Sequence, residues 1–384
     1  MASTPAPTVC LPPTRTPAAA RRTALRHAAP ALLAYAGVRA TGLLVLTLWS
    51  HVRGQDVRRA LAAEWDAEWY LGIAADGYAT ELGTRHDANN LAFFPLYPLL
   101  LRAVTPLSPL SPASTGLALA VAASLLAAWG VFAVGDHLHG RRVGVLLTTL
   151  WAALPVGLVQ WMGYTESLFT ACAAWSLYAV LTGRPLTAAG LAVLAGLTRP
   201  TGVAVAAAVT VTALMSSRRP RALAAALLAP LGWLGYVGWV GLRLDRWDGY
   251  FAVQRLWRNE WDGGVRTVER MRQLLFEDST PESFLLVVTG TLLASVVLFA
   301  LSVADRQPLP LLVFTGVMLA VVLGSGGVYF PRARFLLPAF PLLLPLAVHL
   351  AGASRRLRAL ALTGAVLGSA YCGAHMILVW PSAP

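Results

Sequence analysis

The chain contains no lysine and few charged residues of any kind. All 30 of its basic residues are arginine, charged residues make up 12% of its 384 residues, and hydrophobic residues make up 57%. A soluble globular domain carries roughly a quarter charged residues, so this composition excludes an ordinary soluble protein and predicts an integral membrane protein. The chain length therefore limits how many membrane spans the protein can have, and says little about a number of soluble domains.

Cysteine is scarce as well. Cys10, Cys172 and Cys372 lie far apart in the sequence, and Cys172 lies in an apolar run, so they give no sign of a disulfide framework or a metal site. The chain also lacks a Walker loop, a dinucleotide-binding glycine motif and any His/Cys spacing typical of a metal site. These absences argue against an enzyme that takes a nucleotide from the cytoplasm.

Long apolar runs are abundant instead. The runs long enough to cross the hydrocarbon core are 29–51, 114–134, 142–162, 165–183, 222–243, 282–303, 308–325, 333–352 and 357–380. A further run at 185–216 is interrupted by LTRPTG, where Pro200 lacks an amide hydrogen and Gly202 is a poor helix former, so we expect two short helices there. Residues 93–104 are apolar but short and contain two prolines, so we expect a juxtamembrane or re-entrant segment. Together these runs predict an all-α, polytopic membrane protein with about eleven transmembrane helices.

The arginines set the predicted orientation. The segments that lie inside if the N-terminus is cytoplasmic are 1–28, 135–142, 184–185, 217–221, 304–307 and 353–358. They hold 14 arginines and 2 acidic residues, a net charge of 14 − 2 = +12, which equals the net charge of the whole chain. An excess of arginine on the cytoplasmic side is what the positive-inside rule expects. The positive charge therefore needs no nucleic-acid partner.

This topology divides the chain into two parts. Residues 1–28 predict a disordered basic cytoplasmic arm, and residues 29–380 predict a single polytopic membrane domain. The first apolar run is longer than that of a typical signal peptide and lacks a clear cleavage site, so we expect it to remain as the first span. Two sizeable loops, 52–113 and 244–281, are predicted on the extracytoplasmic face of the cell membrane.

The first of these loops contains EWDAEWYLGIAADGY, in which acidic and aromatic residues are concentrated. In a helix Asp66 and Glu68 point to different sides and one of them faces a site, whereas in an extended segment both face the same side. A carboxylate walled by indole rings is a reasonable general base, because desolvation raises its affinity for a proton. Two alternatives stay open: an interfacial helix with its rings at headgroup depth, and a divalent cation, Mn²⁺ or Mg²⁺, bound by Asp66 and Glu68.

Charged residues also lie at the predicted outer ends of later spans. Glu166 in GYTESLF is a functional candidate because an ionisable group there is costly, the alternative being a carboxylate favoured by the helix dipole with Thr165 as the cap. Arg199 lies where the two short helices meet and suits a phosphate ligand, unless it only snorkels to the interface. Arg332 and Arg334 stand at the head of another span.

Further polar residues are weaker candidates. Arg39, within the first span, is a candidate phosphate ligand that would otherwise snorkel or pair with an acidic residue. His86 and Asp87 suit sugar hydroxyls, the alternative being a solvated loop. In the second loop Gln254 and Trp257 are predicted to bind substrate, since tryptophan stacks on sugar rings, although tryptophan is also common at interfaces.

Five segments resemble, in the same order, motifs of the PIG-V family. They are WDAEWYLGIAADGY, AFFPLYPLLLR, GYTESLF, GLTRPTG and RFLLPAFPL, and the resemblance covers about residues 30–350. This family comprises the second mannosyltransferase of GPI-anchor assembly and its bacterial relatives. It belongs to the GT-C glycosyltransferases, which use polyprenyl- or dolichyl-phosphate sugars on the outer or luminal face.

The resemblance implies roles for individual residues. Asp66 matches the essential carboxylate of the first outer loop, and Glu68 matches the second acidic residue of that motif. Glu166 matches the ESL signature, Arg199 the basic position between the broken helices, and Arg334 the RF near the end.

The sequence departs from the eukaryotic members at two places. Trp69 stands where they carry histidine, and Thr201–Gly202 stands where they carry Asn-Gly. A different acceptor is therefore expected, such as a lipid, glycan or protein of the cell's own envelope.

The expected function is an inverting transfer of mannose, or a related hexose, from a polyprenyl-phosphate sugar to a hydroxyl on the extracytoplasmic face. The predicted catalytic residues are Asp66 and Glu68. The predicted substrate-binding residues are Trp69, His86, Asp87, Glu166, Arg199, Gln254, Trp257, Arg332 and Arg334. The alternative is a transporter or flippase of lipid-linked sugars, which would show paired broken helices in two related halves, whereas this chain has one broken pair and no repeat.

Overall fold

The computed structural model describes residues 17–84, 89–216 and 219–383, and this part of the chain is helical and contains no β-strand. Its α-helices in the first half are α1 (Pro17–Arg53), α2 (Val57–Ala62), α3 (Asp66–Asp76), α4 (Leu96–Val104), α5 (Pro112–His139), α6 (Arg141–Ala152), α7 (Glu166–Leu181), α8 (Pro185–Gly196) and α9 (Gly202–Ser216). Those in the second half are α10 (Pro220–Leu228), α11 (Leu231–Arg243), α12 (Gly249–Leu256), α13 (Val265–Arg272), α14 (Ser283–Ala304), α15 (Leu309–Gly324), α16 (Arg332–Phe335), α17 (Leu344–Gly352) and α18 (Arg355–Leu378). The predicted all-α class is confirmed.

Five segments of the described chain are long and apolar enough to cross a membrane. They are α1 from Thr23 onward, α5, α10 with α11, α14 and α18. Other helices, among them α7, α8, α9 and α15, are equally apolar but have only 10–17 residues. Such helices are expected of a membrane protein. The total of about eleven crossings and the orientation in the membrane remain predictions.

Three helix boundaries differ from the sequence-based expectation. Helix α1 begins at Pro17, within the arm predicted as disordered, while residues 1–16 lie outside the described residues. The run 142–162 is not one helix, because α6 ends at Ala152 just before Pro155, which cannot donate a helical hydrogen bond. The run 333–352 is likewise divided between α16 and α17.

The expected break at LTRPTG is present. Helix α8 ends at Gly196, α9 begins at Gly202, and the residues between them form turns. Pro200 stands in the turn, as expected of a residue that lacks an amide hydrogen. Because the helix is interrupted here, the side chain of Arg199 faces the neighbouring helices instead of lying along the side of one continuous helix.

Close approach of small residues holds the helices together. Helix α5 packs against α6 and α7, α7 against α8, α9 against α15, and α1 against α18. A Cβ atom added to Gly135 on α5 would lie 2.9 Å from Cα of Gly144 on α6. Lipid tails give helices no hydrophobic reason to associate, so packing at this distance supplies the attraction instead.

The break after α6 surrounds a buried arginine. Arg39 on α1 donates from Nη2 to the carbonyl oxygen of Ala152 and to Ser369 Oγ at 3.2 Å, and Ser369 donates to the carbonyl oxygen of Leu154 at 2.7 Å. The guanidinium of Arg39 thus lies at the C-terminus of α6, where carbonyl oxygens lack helical donors and the helix dipole favours a cation. Arg39 is 1% exposed, and among the described residues no acidic side chain pairs with it. The snorkelling and ion-pair interpretations of Arg39 are therefore both wrong.

We predict that Gly232→Ala destabilises the protein. The added Cβ would lie 2.1 Å from the carbonyl oxygen of Val193 on α8, and backbone atoms on a packed helix cannot move aside. Overpacking of this kind costs about 1–3 kcal/mol, so the melting temperature of the purified chain in detergent should fall. Gly235→Ala on the same helix α11 is the matched control, because nothing lies within 4 Å of its added Cβ. Equal falls for both variants would contradict the close packing of α8 on α11.

Candidate active site

Asp66 is presented by a sharp turn between two short helices. Helix α2 ends at Ala62, and Trp65 adopts a positive φ of 53°, a left-handed conformation that is uncommon for a residue with a side chain. The chain reverses there, and α3 begins at Asp66, where the positive end of the helix dipole favours a carboxylate. The helical alternative for this stretch is therefore the one that the structure has. Glu68, two residues later, lies on the exposed side of α3.

Asp66 belongs to a cluster of four charges that come from distant parts of the chain. Asp66 Oδ2 lies 2.8 Å from Arg334 Nη2, and Nε of the same arginine lies 3.2 Å from Glu166 Oε1. Arg199 Nη1 lies 2.8 Å from that Glu166 oxygen. The order of contact is thus Asp66, Arg334, Glu166 and Arg199, and we call these four residues the charge cluster. Its charges sum to zero when both carboxylates are ionised.

The charge cluster is nearly closed to solvent. The side chain of Glu166 is 0% exposed, those of Arg334 and Arg199 are 5% and 9% exposed, and that of Asp66 is 20% exposed. Burying a charge costs several kcal/mol unless a partner and hydrogen bonds compensate it. Glu166 has two guanidinium partners, both at its Oε1 atom, while neither of its oxygens makes a hydrogen bond of good geometry within the described residues. Asp66 is the member with the most access to the surroundings.

Neutral groups support the two arginines. Thr165 Oγ1 accepts a hydrogen bond from Arg199 Nη1 at 2.9 Å and lies 3.0 Å from the hydroxyl of Tyr70. Thr165 makes no capping hydrogen bond to α7, so the part of the alternative interpretation that made Thr165 a helix cap is wrong. The guanidinium of Arg334 lies 5.0 Å from the ring centre of Tyr164, a distance at which the ring face attracts a cation.

The surroundings change the proton affinity of Asp66. Burial raises the pKa of Asp66 above its ordinary value of 3.8, and Arg334 offsets only part of that rise. Arg334 contacts two carboxylates, those of Asp66 and Glu166, which favour its charged form. Arg334 therefore keeps its proton, and Asp66 is a stronger base than an exposed aspartate.

Asp66 and Arg334 face a cavity of about 210 Å³. Its walls come from four of the five sequence motifs, all except GYTESLF, and from the second predicted outer loop. The residues that line it include Asp66, Tyr70, Phe93, Phe94, Thr198, Arg199, Pro200, Gln254, Trp257, Asn259, Arg334 and Phe335. A neighbouring cavity of about 300 Å³ shares Arg199, Gln254 and Phe335 with it and extends to Trp233, Tyr250, Trp261 and Arg332. Segments separated by more than 250 residues thus meet at one site.

Aromatic rings form one wall of the first cavity. Trp69 stacks on Phe93, with ring centres 5.4 Å apart, and meets Trp257 edge to face at 5.4 Å. The indole nitrogen of Trp257 donates to the carbonyl oxygen of Asn89 at 3.1 Å, which joins the second predicted outer loop to the first. Trp69 therefore stands behind Phe93 and Trp257 rather than lining the cavity itself.

Glycines allow the second loop to lie close to the head of α16. A Cβ atom on Gly327 would lie 1.9 Å from Asn259 Oδ1, and one on Gly326 would lie 2.5 Å from Asp262 Oδ2. The amide of Gly326 donates to the carbonyl oxygen of Glu260 at 2.6 Å. Larger residues at these two glycines would push the loop away from the cavity that it covers.

Arg332 differs from Arg334 although they are two residues apart. Its guanidinium donates to the carbonyl oxygens of Ser325 and Gly327 and to the hydroxyl of Thr267. Arg332 is 2% exposed and lines the neighbouring cavity, not the one at Asp66. Its hydrogen bonds are thus directed at the loop before α16, which they hold in place.

Other predicted residues stand as follows. His86 and Asp87 lie outside the described residues. Glu68 is exposed and points away from Asp66, so the two carboxylates do not converge as a cation pair would require. Among the described residues no three His, Cys, Asp or Glu side chains are grouped as in a metal site.

Sequence reasoning missed several residues of the site. Tyr70, Tyr164, Thr165 and Asn259 contact the charge cluster or line its cavity. Two of them had a visible signal, because Tyr164 and Thr165 directly precede Glu166 in GYTESLF. Nothing in the sequence distinguishes Asn259 from its neighbours.

We predict that Glu166→Gln is strongly destabilising. The change leaves Arg199 and Arg334 buried with one carboxylate between them, and breaking a buried ion pair costs about 3–5 kcal/mol. The melting temperature of the purified chain in detergent should fall by more than in Glu64→Gln. Glu64 is the matched control, because its pair with Arg59 at 3.4 Å lies at the surface. A Glu166→Gln protein as stable as the control would show that the cluster does not hold these segments together.

The fold matches solved structures, while sequence comparison gives no match: no family model and no curated protein matches the chain. ArnT from Cupriavidus metallidurans bound to undecaprenyl phosphate matches with a TM-score of 0.53 and 15% identity, over 85% of this chain and 62% of that one. The oligosaccharyltransferase of Archaeoglobus fulgidus, in the apo form, matches with a TM-score of 0.50 and 14% identity, over 92% of this chain and 56% of that one. This chain thus spans less than two thirds of either protein. The chain thus shares the fold of these two proteins, while membership of the PIG-V family is not confirmed.

Proposed function

We propose that the chain is a membrane glycosyltransferase that moves a hexose from a polyprenyl-phosphate sugar to a hydroxyl acceptor. The observation that carries this proposal is Asp66, a partly buried carboxylate that is paired with Arg334 and faces a cavity lined by four of the five sequence motifs. The fold shared with a protein bound to undecaprenyl phosphate supports a lipid-linked donor. The resemblance to the PIG-V motifs favours mannose as the sugar.

In the proposed reaction Asp66 is the general base. It accepts the proton of the acceptor hydroxyl while that oxygen forms a bond to C1 of the sugar. The bond from C1 to the phosphate oxygen breaks, and the lipid phosphate leaves with the electron pair, so the configuration at C1 inverts. The pKa of Asp66, raised by burial, suits it to take a proton from a hydroxyl.

In the proposed reaction the net charge of the charge cluster changes, and this change lets the arginines stabilise the leaving group. Before the reaction the charge cluster is neutral, because its two arginines balance the two carboxylates. When Asp66 takes a proton, its attraction for Arg334 weakens and the cluster carries one positive charge. At that moment the departing phosphate gains one negative charge. Cationic groups aligned with charge that develops in the transition state are the most effective kind of electrostatic catalysis.

The remaining walls of the cavity suit a sugar. Aromatic faces of Phe93 and Trp257 lie beside the amide groups of Gln254 and Asn259. The Gln254 amide donates to the hydroxyl of Tyr250 at 2.9 Å, which orients the glutamine. Sites for small polar molecules combine apolar walls with a few such placed polar groups.

The extracytoplasmic location is part of the proposal. Helix α6 begins at Arg141 and Arg142 and ends near the buried Arg39, and helix α7 begins at Glu166 and ends just before Arg184. The arginine-rich ends of these helices are thus opposite to the charge cluster. By the positive-inside rule the arginine-rich end is cytoplasmic, so the cavity opens on the other face.

We predict that Asp66→Asn lowers kcat by about two to four orders of magnitude, as expected when a general base is lost. The measurement is transfer of radiolabelled mannose from mannosyl-phosphoryl-polyprenol in membranes that contain equal amounts of each protein, with the host's lipids as acceptors. Asp76→Asn is the matched control, because Asp76 is exposed at the far end of the same helix. Near-normal turnover in Asp66→Asn would end the assignment of the base, and transfer by neither protein would end the assignment of the donor.

The pH dependence gives a second prediction. Since burial raises the pKa of Asp66 and only its ionised form accepts a proton, kcat/KM should fall on the acid side at a pH above the ordinary aspartate value of 3.8. Asp66→Asn should remove this limb from any residual activity. A profile that stays flat down to pH 4 would contradict a buried carboxylate as the base.

The metal-dependent alternative is tested separately. If Asp66 and Glu68 bound a catalytic cation, EDTA would abolish transfer, Mn²⁺ or Mg²⁺ would restore it, and Glu68→Gln would be as inactive as Asp66→Asn. The opposite orientation of the two carboxylates favours the version without such a cation pair. In that version EDTA has no effect and Glu68→Gln retains activity within about tenfold.

A further inference from the structure

A second group of arginines lies at the end of the helix bundle opposite to the charge cluster. Helices α1, α6 and α18 all begin at this end. Helix α6 is about 18 Å long at 1.5 Å per residue, and the segment bearing Glu166 follows its far end. The site at this end is therefore separate from the cavity at Asp66.

The three helices border an open surface recess of about 490 Å³ at this end, in which Arg141 and Arg142 are exposed. Arg141, Arg142 and Arg358 line it together with Pro30, Val145 and Leu146. No carboxylate is among the lining residues. Three guanidinium groups thus share one recess with apolar side chains, although like charges repel one another.

Within the described chain the charges of these arginines are not neutralised. The nearest acidic residue in sequence, Asp136, has its Oδ2 3.0 Å from Nε2 of His27 instead. Arg141 donates from Nε to the carbonyl oxygen of His27 at 3.1 Å, and Arg358 makes one contact of 3.4 Å to the carbonyl oxygen of Ala353. For Arg142 no hydrogen bond or ion pair is found among the described residues. Donors directed at carbonyl oxygens hold two guanidinium groups in place without cancelling their charge.

We propose that this recess binds the phosphodiester headgroup of an anionic phospholipid. The guanidinium groups supply the hydrogen-bond donors that phosphate oxygens accept, and the uncapped N-terminus of α6 adds its positive dipole end. The three arginines together carry a positive charge that the negative charge of such a headgroup would offset.

The apolar members of the recess favour a lipid over a free anion. Leu146 is 5% exposed and Val145 lies one residue before it, so they form a floor that continues along α6 toward the apolar part of the bundle. A free phosphate ion gains nothing from such a floor, whereas the glycerol and first methylene groups of a phospholipid do. Basic recesses between membrane helices on the cytoplasmic side are typical sites for anionic lipid headgroups.

The competing explanation is that these arginines only orient the chain in the membrane. In that case any two arginines at this end are equivalent, because only their number matters. Arg355 and Arg356 provide the comparison, because they lie in the first turn of α18, are exposed and do not line the recess.

The test measures lipid binding to the full chain in a neutral detergent by native mass spectrometry. Phosphatidylglycerol and phosphatidylcholine are titrated against wild type, Arg142→Gln/Arg358→Gln and Arg355→Gln/Arg356→Gln, which lose the same total charge. The loss of one arginine close to an anionic lipid headgroup is expected to raise the Kd of that lipid about fivefold. We expect the first double variant to bind phosphatidylglycerol roughly 25-fold more weakly than wild type and the second to bind it within about twofold. Phosphatidylcholine should show no such difference.

Three outcomes would overturn the proposal. Equal weakening in both double variants would mean attraction by total charge alone, and no preference of wild type for phosphatidylglycerol would remove the headgroup. Inorganic phosphate that competes as well as the lipid itself would make the recess a free-phosphate site. If the double variant fails to fold, Arg142→Gln alone serves, since the described chain gives Arg142 no partner to lose, and an unchanged Kd there would also overturn the proposal.

Discussion

The architecture at the cavity depends on one buried carboxylate. Glu166 has no exposed surface and cannot keep its charge without cationic partners. Its two partners come from elements far away in the chain: Arg199 from the break between α8 and α9, and Arg334 from the short helix α16. Because Arg334 also contacts Asp66, the position of the candidate base follows from how Glu166 is compensated. Removal of any member would leave the cluster with a net charge in largely buried surroundings, so the four residues form a unit rather than a set of separate contacts.

The members of this unit lie at or near helix ends. Within an unbroken helix in apolar surroundings the backbone groups bond to one another, and none is left to bond to a side chain. Each break frees carbonyl oxygens that need donors. A chain of side chains behind the cluster supplies them: Trp151 donates to the carbonyl oxygen of Leu337, Gln160 to that of Trp151, and Ser167 to that of Gln160. Ser167 directly follows Glu166, and Leu337 lies three residues after Arg334. This series of hydrogen bonds therefore links the segment that bears Glu166 to the segment that bears Arg334. Breaks in a helix are normally unfavourable within a membrane. Here they help to fix the orientation of ionised side chains.

Sequence reasoning succeeded where local chemistry decides the structure. Pro200 and Gly202 predicted the break between α8 and α9, and the spacing of Asp66 and Glu68 predicted that one of them faces away if the segment is helical. It failed where the outcome depends on which distant residue lies opposite. Arg199, Arg332 and Arg334 were expected to bind substrate, and nothing in the sequence indicated that Arg199 and Arg334 contact carboxylates or that Arg332 contacts loop carbonyls. A hydropathy pattern shows that these residues stand at the ends of apolar helices, but it does not show which ends meet.

The pairing of both arginines changes what the proposed site does with a phosphate. A neutral cluster offers an arriving lipid phosphate no net positive charge, so the donor must be held chiefly by its sugar and its lipid chain. The cluster becomes cationic only as Asp66 accepts the proton, at the moment when the phosphate gains its second negative charge. Binding energy that appears in the transition state and not in the ground state accelerates the reaction instead of merely tightening substrate binding. Two free arginines would bind donor and product phosphate alike and would slow product release. In the proposed reaction Asp66 and Glu166 therefore restrain the arginines, and this restraint matters as much as the removal of the proton by Asp66.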